Sequence, residues 1–152
     1  MVKTSLCYLT YENEYLMLYR NKKENDPNAG KWIGVGGKLE IGETPTECAI
    51  REIYEETGIQ VDLSHLTACG IVHFKSDTFS DEDMYLFNAK LPTRPDISDC
   101  NEGTLKWIPA DKLLDLPMWQ GDKIFLRKMA NGETNINLTL VYSGDTLSDV
   151  ID

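Results

Sequence analysis

The stretch GKLEIGETPTECAIREIYEETGI, residues 37–59, decides how the rest of the chain is read. Its middle is the strongest helix signal in the sequence. Thr44 is a good N-cap, Pro45 suits the first helical position, where a missing N–H costs nothing, and Glu47 completes a capping box with Thr44. Gly58 is the expected terminator, because glycine takes the left-handed conformation without a Cβ penalty. The spacing therefore predicts a helix over 45–57. Glu52, Glu55 and Glu56 stand at i, i+3 and i+4 and share one face. Ala49, Ile50, Ile53 and Tyr54 make an opposite stripe that can pack on a sheet.

Stability does not explain those glutamates. Like charges at this spacing cost a helix about 0.2–0.5 kcal/mol per pair, and the cluster lies at the end where the helix dipole is negative. A solvated acidic face is the plain alternative. Against it, a glycine-rich loop, Gly34, Gly36 and Gly37, closes the N-terminal side of the carboxylates. Converging carboxylates also have a use as a hard-oxygen site for Mg²⁺. Such an ion bridges phosphate oxygens and spreads the charge of a phosphoryl-transfer transition state.

The rest of the composition bears on the same point. The chain has 152 residues and a net charge of −10, which argues against DNA, RNA or an anionic membrane as partner. A small phosphate ligand would be repelled too unless metal ions or local cations offset the charge. Arg20, Lys22, Lys23, Lys31 and Lys38 form such a basic patch before and inside the quoted stretch. Arg20 and Lys38 are the candidates for phosphate, whereas Lys22 and Lys23 read as a solvated loop. No run approaches the roughly 20 apolar residues of a membrane span, and no signal peptide is visible. Cys7, Cys48, Cys69 and Cys100 are far apart, with no zinc or redox spacing, so free thiols and a cytoplasmic location are expected. His65 and His73 have no partner pattern.

Outward from the helix, residues 2–10 and 14–20 read as strands around a turn at 11–13. Residues 21–30 read as a polar loop, and 59–63, 66–75 and 84–91 as further strands, the last two separated by an acidic segment at 77–83. A short strand over 105–108, helices over 110–115 and 122–131, and a final strand over 138–142 complete the pattern. Length and pattern suggest a single domain over residues 1–152, α/β in class, with a mixed β-sheet sandwiched between α-helices.

Gly37, Glu43, Arg51, Glu52, Ile53, Glu55, Glu56, Gly58 and Ile59 resemble the Nudix box, G-x5-E-x7-R-E-U-x-E-E-x-G-U, at every specified position. The segments 30–40, 101–107 and 116–122 are similar to MutT-like mutator hydrolases, and most of all to their MutX-type, 8-oxo-dGTP diphosphatase branch. The resemblance implies the Nudix fold and Mg²⁺ as cofactor, with Mn²⁺ able to substitute. It implies Glu52, Glu55, Glu56, Glu102 and the Gly36 carbonyl as metal ligands, and Glu52 as the base that deprotonates water, directly or through the metal. Arg51 and Glu43 are implied as a supporting pair. Gly37, Arg20 and Lys38 would meet phosphate. Trp32, Ile33, Trp119 and Asp122 would shape the base site, with two departures: Ile33 stands where relatives carry an Asn, and Gly121 where they carry an Asp.

The implied reaction is hydrolysis of a nucleoside triphosphate to monophosphate and pyrophosphate, in the sanitation of oxidised purine nucleotides such as 8-oxo-dGTP. Another nucleoside diphosphate derivative is the runner-up substrate. A catalytically silent nucleotide-binding module is the rival from another class, although such a module would be expected to lose box glutamates. Monomer and homodimer both stay open.

Overall fold

The structure, a computed structural model, describes residues 1–97 and 99–152. Its elements are β1 (Val2–Tyr11), β2 (Glu14–Arg20), β3 (Trp32–Ile33), β4 (Val35–Lys38), α1 (Pro45–Thr57), β5 (Leu66–Ser76), β6 (Glu82–Lys90), β7 (Gly103–Pro109), α2 (Gln120–Ala130), β8 (Ile136–Ser143) and β9 (Thr146–Ile151). Strand order is β3-β2-β1-β6-β5-β8-β9, with β4 added to β1 and β7 to β2. The sheet is mixed, because β1 runs parallel to β6 and β5 parallel to β8, while the other pairs are antiparallel.

The sheet divides at β1. Its first half, Thr4 to Cys7, pairs with β4, and its second half, Leu9 to Tyr11, pairs with β2. Strand alternation then sorts the core onto two faces. Cys7, Leu9, Leu16 and Leu18 point to one side and pack with Ala49 and Ile53 of α1. Tyr8 and Met17 point to the other and pack with Phe125 and Leu126 of α2. A helix on each face is the expected sandwich. Among the described residues no helix is long and apolar enough to cross a membrane.

Helix α1 has the expected bounds. Thr44 Oγ1 accepts from the Glu47 N–H at 3.1 Å, and the Glu47 carboxylate accepts from the Thr44 N–H at 2.9 Å. Gly58 ends it with φ 75°. The faces differ from the expectation. Tyr54 is 55% exposed, whereas Glu56 is buried with Ala49 and Ile53. Seven residues are almost two turns, so Glu56 comes back over Ala49 and shares the packed face.

Other differences have local causes. Residues 59–62 form no strand, because Asp62 caps a 3₁₀ turn, Leu63–His65; Val61 is buried and Ile59 packs beside it against the core. Glu82 and Asp83, expected in an acidic loop, belong to β6, where Asp83 Oδ1 lies 2.7 Å from His73 Nδ1. Residues 110–115 are 3₁₀, and α2 begins two residues early, at Gln120. β8 is not last: a tight turn with Gly144 at φ 58° folds β9 back on it. Most of β9 is exposed, so it carries little of the apolar alternation by which strands are found. All four cysteines are free.

The capping box makes one prediction. Thr44→Ala should destabilise the protein by about 1 kcal/mol, measured as a lower urea midpoint at unchanged slope. An unchanged midpoint would mean that α1 is held by packing alone.

Candidate active site

Strand β4 brings backbone against the glutamates of α1. It pairs with β1 through Leu6 and Gly36, Ser5 and Gly37, and Thr4 and Lys38. The Ser5 hydroxyl donates to the Pro45 carbonyl at 2.6 Å, tying β1 to the start of α1. A Cβ on Gly36 would be driven into the Ser5 carbonyl, and one on Gly37 would lie 2.6 Å from the Glu52 carboxyl. Gly36 needs glycine for close approach of two strands rather than for a turn, whereas at Gly37 a side chain would displace the Glu52 carboxyl. The Gly36 N–H then donates to Glu56 Oε2 at 2.8 Å.

The four expected metal-binding glutamates occupy three environments. Glu52 faces a cavity of about 840 Å³, and burial raises its pKa despite the adjacent Arg51. Glu56 is only 9% exposed and meets Glu102, which reaches in from the start of the β7 segment. Burial, then the hydrogen bond with Glu102, drives the Glu56 pKa well up. Burial acts upward on Glu102 too, but the bond with Glu56 and the cations Lys23 and Arg20 hold it below the usual range. One proton shared between the two carboxyls is the consequence. Glu55 is largely exposed and bonds to Arg51 Nη1 at 3.1 Å.

Arg51 organises this end. Its Nε and Nη2 bind both oxygens of Glu43, at 2.7 and 2.9 Å, while Nη1 binds Glu52 at 2.8 Å and Nη2 also donates to the Lys38 carbonyl at 3.2 Å. The guanidinium fork holds loop and helix in one register. It sets the Glu43 carboxyl down at about 2.

Among the described residues no three carboxylates converge on one point. Arg51 draws Glu52 and Glu55 to itself, and Glu102 is taken by Glu56 and Lys23. The donor set still fits a hard cation: every side-chain donor is an oxygen, and two contacting carboxyls need either a shared proton or a positive ion between them. The residues present therefore fit Mg²⁺.

Cations line the same end of the cavity. Arg20 bonds Asp26 at 2.8 Å and lies 3.6 Å from Glu102. Lys23, expected to be solvated, bonds Glu102 at 2.9 Å and lines the cavity with Lys38. The far end is aromatic. Trp119 stands edge-on to Phe74, Phe79 and Tyr142 at 5.0–6.2 Å. Its indole N–H donates to Asn28 Oδ1 at 2.7 Å, and Lys31 Nζ sits 4.4 Å from its ring centroid. Asp122 is 7% exposed and lines the cavity with no side-chain hydrogen bond among the described residues. Burial, then Glu82, pushes its carboxyl up to about 7 against the pull of Lys31.

Glu52, Glu102, Gly36, Gly37, Arg20, Lys38, Ile33, Trp119 and Asp122 are thus gathered on one cavity. Trp32 is not: it stacks on Tyr19 at 5.0 Å, because β3 pairs with β2 and turns its indole onto that strand. Sequence reading missed Glu82, whose carboxylate accepts from Thr4 Oγ1 at 2.7 Å in the cavity wall, and Phe74, Phe79 and Tyr142. Alternation along β5, β6 and β8 marks Phe74, Glu82 and Tyr142 as inward positions, but does not distinguish a cavity from a core.

A model of the NUDIX domain matches residues 2–129. Beyond 129, β8 and β9 extend the same sheet. The chain is similar to an uncharacterized Nudix hydrolase of Bacillus subtilis, 31% identical over 139 residues, which cover 90% of this chain and 84% of that one. It is similar to the oxidized purine nucleoside triphosphate hydrolase of Danio rerio, 34% identical over 108 residues, covering 70% and 67%. Among solved structures, the mutator MutT protein from Bacillus halodurans superposes with a TM-score of 0.86 at 27% identity, covering 99% of this chain and 97% of that one.

The depressed Glu43 carboxyl fixes a pH signature. Its folded value of about 2 lies below its ordinary 4.5, so the ion pair with Arg51 stabilises the fold fully above about pH 4.5 and is lost as pH falls through about 2. The difference in urea midpoint between the wild type and Glu43→Gln should be largest at neutral pH, shrink below about pH 4.5 and close near pH 2. A difference that does not change with pH would refute the pairing.

Proposed function

The chain belongs to the NUDIX domain family of pyrophosphohydrolases, and on that premise we propose that it is a Mg²⁺-dependent nucleoside triphosphate diphosphatase whose preferred substrates are oxidised purine nucleotides such as 8-oxo-dGTP. The observation that carries this reading is a single cavity with two unlike ends. Glu52, Glu102, Arg20, Lys23 and Lys38 make an end for phosphates, and Trp119 beside Asp122, whose carboxylate has no hydrogen bond among the described residues, makes an end for a base. The relationship to the oxidized purine nucleoside triphosphate hydrolase of Danio rerio supports the substrate class.

Bound Mg²⁺, which Mn²⁺ can replace, would be held by Glu52, Glu55, Glu56, Glu102 and the Gly36 carbonyl, and would neutralise the phosphate oxygens. Glu52, in the cavity wall with a raised pKa, takes the proton of the attacking water. Water adds at the β-phosphorus, the bond from that phosphorus to the α–β bridging oxygen breaks, the nucleoside monophosphate departs as the leaving group, and the water oxygen ends in pyrophosphate. Arg51 positions Glu52 and Glu55 and does not touch substrate. Arg20, Lys23 and Lys38 receive the phosphate chain, and the bare backbone at Gly37 lets it approach. At the base end Trp119 gives an aromatic surface and Asp122 meets base N–H groups. Ile33 lines the cavity without offering a hydrogen bond, so the base is read by other residues.

Product analysis tests the bond: pyrophosphate should appear in step with nucleoside monophosphate, and orthophosphate with nucleoside diphosphate would contradict it. Glu55→Gln and Glu56→Gln should each lower kcat roughly 100-fold or more; near wild-type turnover in both would remove the metal-ligand assignment. In a substrate panel kcat/KM should be higher for 8-oxo-dGTP than for dGTP, and equal values would remove the oxidised-purine assignment while leaving the hydrolase.

A further inference from the structure

The aromatic end of the cavity holds a hydrogen-bond donor with no acceptor among the described residues. Tyr142 of β8 is 2% exposed and lines the cavity. Its ring is fixed by Phe74 at 5.1 Å and by Trp119 at 5.0 Å, the latter nearly perpendicular. The phenolic oxygen accepts from the Gly121 N–H at 2.8 Å. Its own proton must then point elsewhere, and among the described residues no acceptor takes it. Asp122 is near enough to act on the phenol electrostatically but makes no hydrogen bond with it. Burial pushes the phenol up to about 12, so it keeps its proton at neutral pH. A buried tyrosine hydroxyl normally spends its proton on a partner.

Gly121 is the counterpart of this arrangement. A Cβ there would meet the Tyr142 hydroxyl at 2.8 Å and Leu140 Cδ1 at 2.5 Å. The hydroxyl thus occupies the room that a side chain at 121 would need. A polar group from β8 stands where the start of α2 cannot supply one. Beside it, Asp122 presents two carboxylate oxygens with no hydrogen bond among the described residues. One donor next to a two-oxygen acceptor matches a base edge with a carbonyl oxygen beside N–H groups. Guanine has that edge, in O6 with its N1 and N2 hydrogens, whereas adenine offers an amino donor at the position of O6.

We propose that Tyr142 is a specificity-determining residue whose hydroxyl donates to the carbonyl oxygen of a guanine-type base while Asp122 accepts from its N–H groups. This rests on the reading that a nucleotide binds with its base at the aromatic end. Gly121 is a positioning residue, since its N–H sets the direction of the phenol and its missing side chain leaves the space.

The test is steady-state kinetics on dGTP and dATP with the wild type and Tyr142→Phe, which keeps the ring and removes the hydroxyl. The dGTP to dATP ratio of kcat/KM should fall about tenfold, carried mainly by KM for dGTP. A purely structural hydroxyl would lower both substrates by one factor, and an unchanged ratio overturns the proposal. Gly121→Ala presses on the same hydroxyl and should move the ratio the same way. Calorimetric binding of dGMP and dAMP to the same proteins needs no turnover and expects the same loss of guanine preference; no preference in the wild type, or none lost in Tyr142→Phe, overturns it. A Tyr142-dependent preference for dGMP without triphosphate hydrolysis would remove the proposed reaction and leave this inference standing. Hydrolysis with an unchanged ratio would do the reverse.

Discussion

The packing of bare backbone against carboxylates, at Gly36 and Gly37 under α1, is the constraint from which the rest of the site follows. Because neither glycine carries a Cβ, β4 can pair with β1 and still lie against Glu52 and Glu56. Glu56 is drawn into the stripe that anchors the helix, so one face of α1 serves both the core and the site. Burying a carboxylate is costly unless it is bonded. Here the Gly36 N–H and the Glu102 carboxyl supply the bonds.

An acidic protein with an acidic cluster must also keep that cluster from repelling itself. Arg51 does so by holding Glu43, Glu52 and Glu55 around one guanidinium, and the Glu56–Glu102 pair does so by sharing a proton. Both devices leave the carboxylates poised rather than converged. The price is that α1 carries repulsions its own stability would avoid, offset by contacts from β4, from Glu43 in the loop after it, and from Glu102 before β7. Elsewhere on the lining Asp122 and Tyr142 stand with the rings of Phe74, Phe79 and Trp119, and Asn28, Thr78, Ser80 and Glu82 line the same cavity. On the reading proposed above, selectivity for a base rests on the Asp122 carboxylate and the Tyr142 hydroxyl.

Much of this was legible in the sequence. The capping box, the Gly58 terminator and the box glutamates are local patterns, and local patterns survive without knowledge of the fold. The strands of the core could be found by alternation; β9 was missed because it carries little apolar signal, and the alternating run 59–63 was read as a strand although Asp62 caps a turn there. Glu102 was picked out by resemblance and not by spacing, since forty-odd residues separate it from the helix it meets. Glu56 was read with Glu52 and Glu55 on a face opposite the packed stripe, whereas the helical repeat returns it over Ala49.

The sequence by itself therefore determined the family, the bounds of α1 and the placing of Glu52, Glu55 and Glu56 along it, because residues a few positions apart on one helix have a fixed geometry. Only the tertiary structure decided which distant groups meet that helix and what lies at the other end of the cavity. Trp32 turns to Tyr19 instead of the ligand space, Lys23 reaches Glu102, and the Tyr142 hydroxyl fills the place left by Gly121. Each of these depends on strand pairing and on the packing of elements far apart in the chain, and neither period nor motif encodes that pairing.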